Sequence, residues 1–228
     1  MPRCILQNVT CLVLLLLPNA VQPQEKKMLF KVLRDGQLVG WSEVGVVMGK
    51  DALFAVSAFY DGAKKPSKPE KASHRSYAEM TKDGVIKRFK RWAKVGKRED
   101  YWMVFYYQGV LKIRYERGSP DRAKVRDLGK VEEARPLGVQ EPHLAWVLIM
   151  FGNKGETTCV SVMPDGVGKA KVEMLRTETI TLSIGTQTEG EWWEVRGDCG
   201  TYRVFLDKKT KEPILLESGT SRFERVLN

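Results

Sequence analysis

From residue 28 onward, apolar and polar side chains alternate over short stretches, and turn-forming dipeptides separate the stretches. "MLFKVL" runs into "RDGQ" and "LVGWSEVGVVMG" follows, which predicts a hairpin with Asp35-Gly36 at its tip. "DALFAVSAFYDG" reads as a further extended run, and "AKKPSKPEKASH" as an exposed loop in which Lys, Pro and Ser cluster without apolar periodicity. "RSYAEMT" and "VIKRFKRWAKV" flank "KDG", while "YWMVFYY" and "VLKIRYE" flank "QG", giving two more hairpins. Aromatic and β-branched side chains dominate these runs, as strands on a half-buried surface prefer.

The rhythm breaks over residues 117–140, a charged and turn-rich segment that predicts a long loop or irregular excursion. "EPHLAWVLIMFGNKG" then reads as a helix, with Pro142 suited to its first turn and Gly152 or Gly155 to its end; a buried strand is the alternative. Nearly every residue in it is apolar, so it is expected to be buried on most sides and to back a sheet. Six strand-like stretches follow: "TTCVSVMPDG", "KAKVEMLRTET", "ITLSIGTQTEG", "EWWEVRGDCG", "TYRVFLDKKTKEP" and "ILLESGTSRFERVL". The expected fold is mainly β, an antiparallel meander forming a curved sheet or incomplete barrel around one short apolar helix at 142–151.

The first residues follow different rules. Arg3 precedes the apolar run Cys11 to Leu17, which Pro18 interrupts and which is too short to cross a bilayer as a helix. That layout is a secretory signal peptide, so residues 1–24 are expected to be removed and 25–228 to form one β-rich domain. The expected location is outside the cytoplasm, periplasmic or extracellular. Removal takes only Arg3 from the formal charge, leaving +9 of the chain's +10, a surplus suited to anionic surfaces.

Of four cysteines, Cys4 and Cys11 fall in the leader; Cys159 and Cys199 remain, as a disulfide or as two buried thiols. No metal site is expected, because there is no C-x-x-C and the two histidines, His74 and His143, lie far apart in sequence. His74 reads as a solvated loop residue and His143 as a capping or packing residue at the helix start. No G-x-S-x-G elbow or P-loop occurs, and alternation along "EWWEV" sends Glu191 and Glu194 to opposite faces. No catalytic residue is therefore assigned and no cofactor expected.

"KRFKRWAK" carries five cations around two rings. As a strand it sets Lys87, Phe89, Arg91 and Ala93 on one face and Arg88, Lys90, Trp92 and Lys94 on the other. A strand with a wet, charged face ranks first and a membrane-surface helix second. Nucleic acid is disfavoured, because export would separate the chain from it.

Three segments carry a resemblance: "LFKVLRDGQLVGWSEV" with Gly40 in its second strand, "EPHLAWVLIMF", and "YRVFLDKKTKEPILLE". In these the chain resembles exported bacterial cell-envelope proteins of unknown function with a β half-barrel or barrel-like domain. The resemblance implies that fold and transfers no active site. A half-barrel closed by a helix can hold an apolar ligand, so the leading expectation is a non-enzymatic envelope protein binding a lipid or other hydrophobic ligand, or a partner protein. Trp41, Trp102, Tyr106 and Trp193 are the aromatics expected to line its concave face. The alternatives are an enzyme acting on an envelope lipid or polysaccharide, and a protein that meets an anionic surface through segment 82–98, with Lys87, Arg88, Lys90, Arg91 and Lys94 as contacts.

Overall fold

A computed structural model of the chain describes residues 25–66, 72–138, 141–152, 154–161 and 166–227; the expected leader, 1–24, lies outside them. The strands are β1 Glu25–Arg34, β2 Gln37–Met48, β3 Leu53–Asp61, β4 His74–Met80, β5 Ile86–Val95, β6 Arg98–Tyr107, β7 Val110–Arg117 and β8 Lys124–Gly129. They continue as β9 Arg135–Leu137, helix α1 His143–Phe151, β10 Gly155–Ser161, β11 Val167–Thr181, β12 Gln187–Gly197, β13 Gly200–Asp207, β14 Pro213–Ser218 and β15 Ser221–Arg225. All fifteen strands form one sheet in the order β8-β7-β6-β5-β4-β3-β2-β1-β15-β14-β13-β12-β11-β10-β9. Among the described strands, only β9 and β10 pair in parallel.

That order forces the sheet to curl. β8 and β9 are opposite edges, yet only residues 130–134 join them. Laid flat, fifteen strands would set the edges roughly 65 Å apart, whereas so short a link reaches about 20 Å. The link crosses one end of the sheet, where Tyr106 Oη donates to Val131 O at 2.8 Å and Ile86 N donates to Ala134 O at 2.8 Å. The result is a curved, unclosed sheet around one short helix, as the pattern predicted.

Helix α1 fills the hollow. Seven of its nine residues, His143 to Ile149, are buried, and Leu144 to Ile149 join Phe30, Phe89, Val104, Val195, Tyr202 and Leu216 in one apolar core spanning both halves of the sheet. Two smaller clusters sit on the outer face. Trp41, Tyr60 and Ala72 make one; Leu182, Trp192, Phe205, Ile214 and Leu215 make the other.

Turn chemistry is local and was legible. Asp35 and Gly36 both take positive φ, as do Gln108 and Gly109, the backbone that tight two-residue hairpins require. Three boundaries differ from expectation. Residues 117–140 contain β8 and β9; β8 is an edge strand exposed along most of its length, so it shows no alternation. "KAKVEMLRTET" and the start of "ITLSIGTQTEG" form one strand, β11, whose register shift between Met174 and Arg176 absorbs the break in pattern. The supposed loop ending in "SH" is shorter than expected, because His74 already belongs to β4.

Candidate functional site

The concave face of β3, β4 and β5 is apolar except for one patch. Alternation along β3 turns Leu53, Ala55 and Ser57 inward; along β4 it turns His74, Ser76, Ala78 and Met80; along β5 it turns Phe89, Arg91 and Ala93. The ladders set Ser57 opposite Ser76, and Ser76 opposite Arg91, making a polar row across three strands. Glu141, just before α1, comes down onto this row.

Its carboxylate gathers the surrounding donors. Ser57 Oγ donates to Glu141 Oε2 at 2.7 Å and Ser76 Oγ donates to the same oxygen at 2.9 Å. Arg91 Nε lies 3.3 Å from Oε1. His74 Nε2 and His143 Nδ1 approach the two oxygens at 3.7 and 3.6 Å, beyond hydrogen-bond length. The Arg91 guanidinium also stands 5.1 Å above the Trp102 ring, and His74 stacks on Phe59 at 5.0 Å.

Burial sets the protonation of the cluster. Glu141 is 1% exposed and Arg91 4%. Burial raises the Glu141 carboxyl above its ordinary range, while Arg91 and the two serine hydroxyls pull it back. Both histidines are pushed down to about 3, His143 by burial and His74 by burial first, then by Arg91 and His143. The cluster thus holds neutral imidazoles beside the Glu141–Arg91 pair.

The arrangement holds its polar groups in mutual contact. Each serine hydroxyl gives its proton to a carboxyl group that Arg91 also contacts, and the two imidazoles flank that same group. The described residues close Ser57, Ser76, Glu141 and His143 from solvent. What the cluster does is tie the segment leading into α1 to strands β3–β5, while α1 itself packs on β9, β12, β13 and β14. Among the described residues, no group of three His, Cys, Asp or Glu is placed to hold a metal ion.

The cluster makes stability depend on pH. An unfolded histidine titrates near 6.5, whereas these two stay neutral in the fold until about 3. Between those limits the unfolded chain binds protons that the folded chain does not, so stability falls as pH falls. The expected loss is about 2 kcal/mol per histidine between pH 7 and pH 5. The raised Glu141 carboxyl acts in the opposite sense, so urea unfolding of wild type is compared with His143→Gln. The variant is expected to show a shallower pH dependence; an unchanged slope would show that His143 takes up its proton without unfolding.

The residues expected from sequence separate into groups. Trp102 and Tyr106 are on the concave side, and Trp193 belongs to the central core, with Lys154 Nζ 5.0 Å from its ring centre. Trp41 is on the other face. It is buried with Tyr60 and Ala72, its indole N–H donating to Ala63 O at 3.3 Å, because Ser42 and Val44 carry the inward parity of β2. Arg91 leaves the expected basic surface for the buried cluster, and His74 is half-buried at its edge rather than a solvated loop residue. Arg88, Lys90 and Lys94 take the outward parity of β5; Lys87 is exposed near Asp51 O. Cys159 and Cys199 form a disulfide, with Cα atoms 6.5 Å apart.

Glu141, Ser57 and Ser76 were not assigned as site residues. The available signals were an acid opening an apolar helix, and serines at inward parity between alanines and methionine.

No protein-family model and no curated protein matches the chain. Among solved structures, it is similar to a β-barrel-like protein of the domain of unknown function DUF1849 from Brucella abortus. The TM-score is 0.45 at 13% identity, covering 91% of this chain and 98% of that one.

Proposed function

We propose that this protein is an exported, non-catalytic envelope protein that works by binding a partner on its outer surface. The observation that carries the reading is the contrast between its two faces. Inside, α1 and the apolar core fill the curve of the sheet and the ionisable groups are locked in mutual contacts. Outside, β4–β7 carry cations and partly exposed rings. The disulfide fits an oxidising compartment. Among the described residues no helix is long and apolar enough to cross a membrane.

The rival reading, an enzyme using Ser57 with Glu141 and His143, predicts a different pattern of variants. In a strain lacking its own copy, Ser57→Ala is expected to restore function, since it removes only a structural hydroxyl. Lys90→Glu combined with Arg114→Glu is expected to fail while folding normally. Rescue by the charge-reversed protein and none by Ser57→Ala would overturn the proposal and favour catalysis.

A further inference from the structure

The chain's charge is unevenly distributed. Residues 74–129, which form β4 to β8, contain fifteen Lys and Arg against seven Asp and Glu, a formal +8 of the whole chain's +10. Arg91 is spent in the buried cluster. Much of the rest lies on the outer face, in register with rings. Ladder partners there read Tyr77, Lys90, Met103, Arg114 along one row. The next row reads Arg75, Trp92, Tyr101, and a third sets Arg88 beside Phe105.

This face differs from the sheet's other outer surfaces. Over β2 and β3 the segment at Ala72 covers Trp41, and over β12–β14 Leu182 and Leu227 cover Trp192. Over β5–β7, no described segment does so. Trp92, Tyr101, Met103 and Phe105 remain partly exposed, and Arg88 and Tyr107 are exposed outright.

We infer that this face is a docking surface for an anionic lipid bilayer, an inference that rests on the outward-binding reading above. Charge is complementary: the six outward cations of β4–β7 outnumber the four acids Glu79, Glu99, Glu116 and Asp127 that share the face. The shape of the charge array fits as well. Outward cations stand on β4 at Arg75, on β5 at Arg88, Lys90 and Lys94, and on β7 at Lys112 and Arg114, a patch about 15 Å wide that matches a plane of phosphates better than the single line of a nucleic-acid strand. So does the kind of ring. Tyr77, Trp92 and Tyr101 pair an apolar body with a polar tip, the chemistry favoured at a membrane–water boundary, and the Lys and Arg stems between them can lie flat while their heads meet headgroups.

The test is sedimentation of the mature protein with phosphatidylcholine vesicles, with and without phosphatidylglycerol. Binding is expected only with the anionic lipid and is expected to weaken at least ~10-fold in high salt or in the Lys90→Glu, Arg114→Glu double variant. Brominated lipid is expected to quench wild-type tryptophan emission more than that of Trp92→Phe. Circular dichroism melts confirm that the variants fold. Equal binding to neutral vesicles, binding indifferent to charge reversal, or preference for a single-stranded oligonucleotide would each overturn the lipid assignment. If wild type ignores anionic vesicles while charge reversal still abolishes function in cells, the lipid assignment falls and the outward-binding reading stands with a different partner.

Discussion

Replacing Glu141 with glutamine is expected to destabilise the protein by about 3–5 kcal/mol, because it strands a guanidinium in the interior. Arg91 cannot relieve its own desolvation by giving up a proton; Glu141 can, since burial already raises its carboxyl. The two halves of the pair are therefore unequal. Arg91→Met is expected to cost less than Glu141→Gln at neutral pH, and its cost is expected to shrink as the pH falls. Urea unfolding of both single variants and the double variant measures this, and the cycle is expected to give a coupling above ~1 kcal/mol. Independent, additive losses would mean that the contact at 3.3 Å contributes little.

The same pair shows what the sequence could and could not reveal. Alternation along β5 correctly grouped Arg91 with Phe89 and Ala93, but a parity argument does not say which face is buried. Its partner lies fifty positions on, beyond the reach of any local pattern. An arginine among lysines therefore read as surface. Trp41 failed for a related reason. Its parity along β2 is unambiguous, yet this sheet buries apolar clusters on both faces, so a large ring could belong to either. Hairpins such as Asp35-Gly36 succeeded because their backbone demands are met within four residues. Edge strand β8 was missed because it is solvated on both sides and carries no hydrophobic period.

Reducing the Cys159–Cys199 disulfide is expected to cost about 4 kcal/mol, the chain entropy released when a loop spanning 40 positions is opened in the unfolded state. The bridge joins β10 to the β12–β13 turn, so the loop it closes contains strands β11 and β12. The native side of the balance changes little, because Tyr202 Oη also holds that turn, donating to Cys199 O at 2.7 Å. Two measurements separate the cross-link from the packing of its sulfurs. Urea unfolding of wild type with and without dithiothreitol reads the cross-link alone, and the expected result is a lower midpoint in reductant. The double variant Cys159→Ala, Cys199→Ala adds the loss of buried sulfur, so it is expected to unfold at a lower midpoint still and to ignore dithiothreitol. A wild-type midpoint that reductant leaves unchanged would mean that the bridge adds nothing the folded sheet does not already supply. A drop of the expected size would mean that the C-terminal strands depend on an oxidising compartment, the condition that export provides.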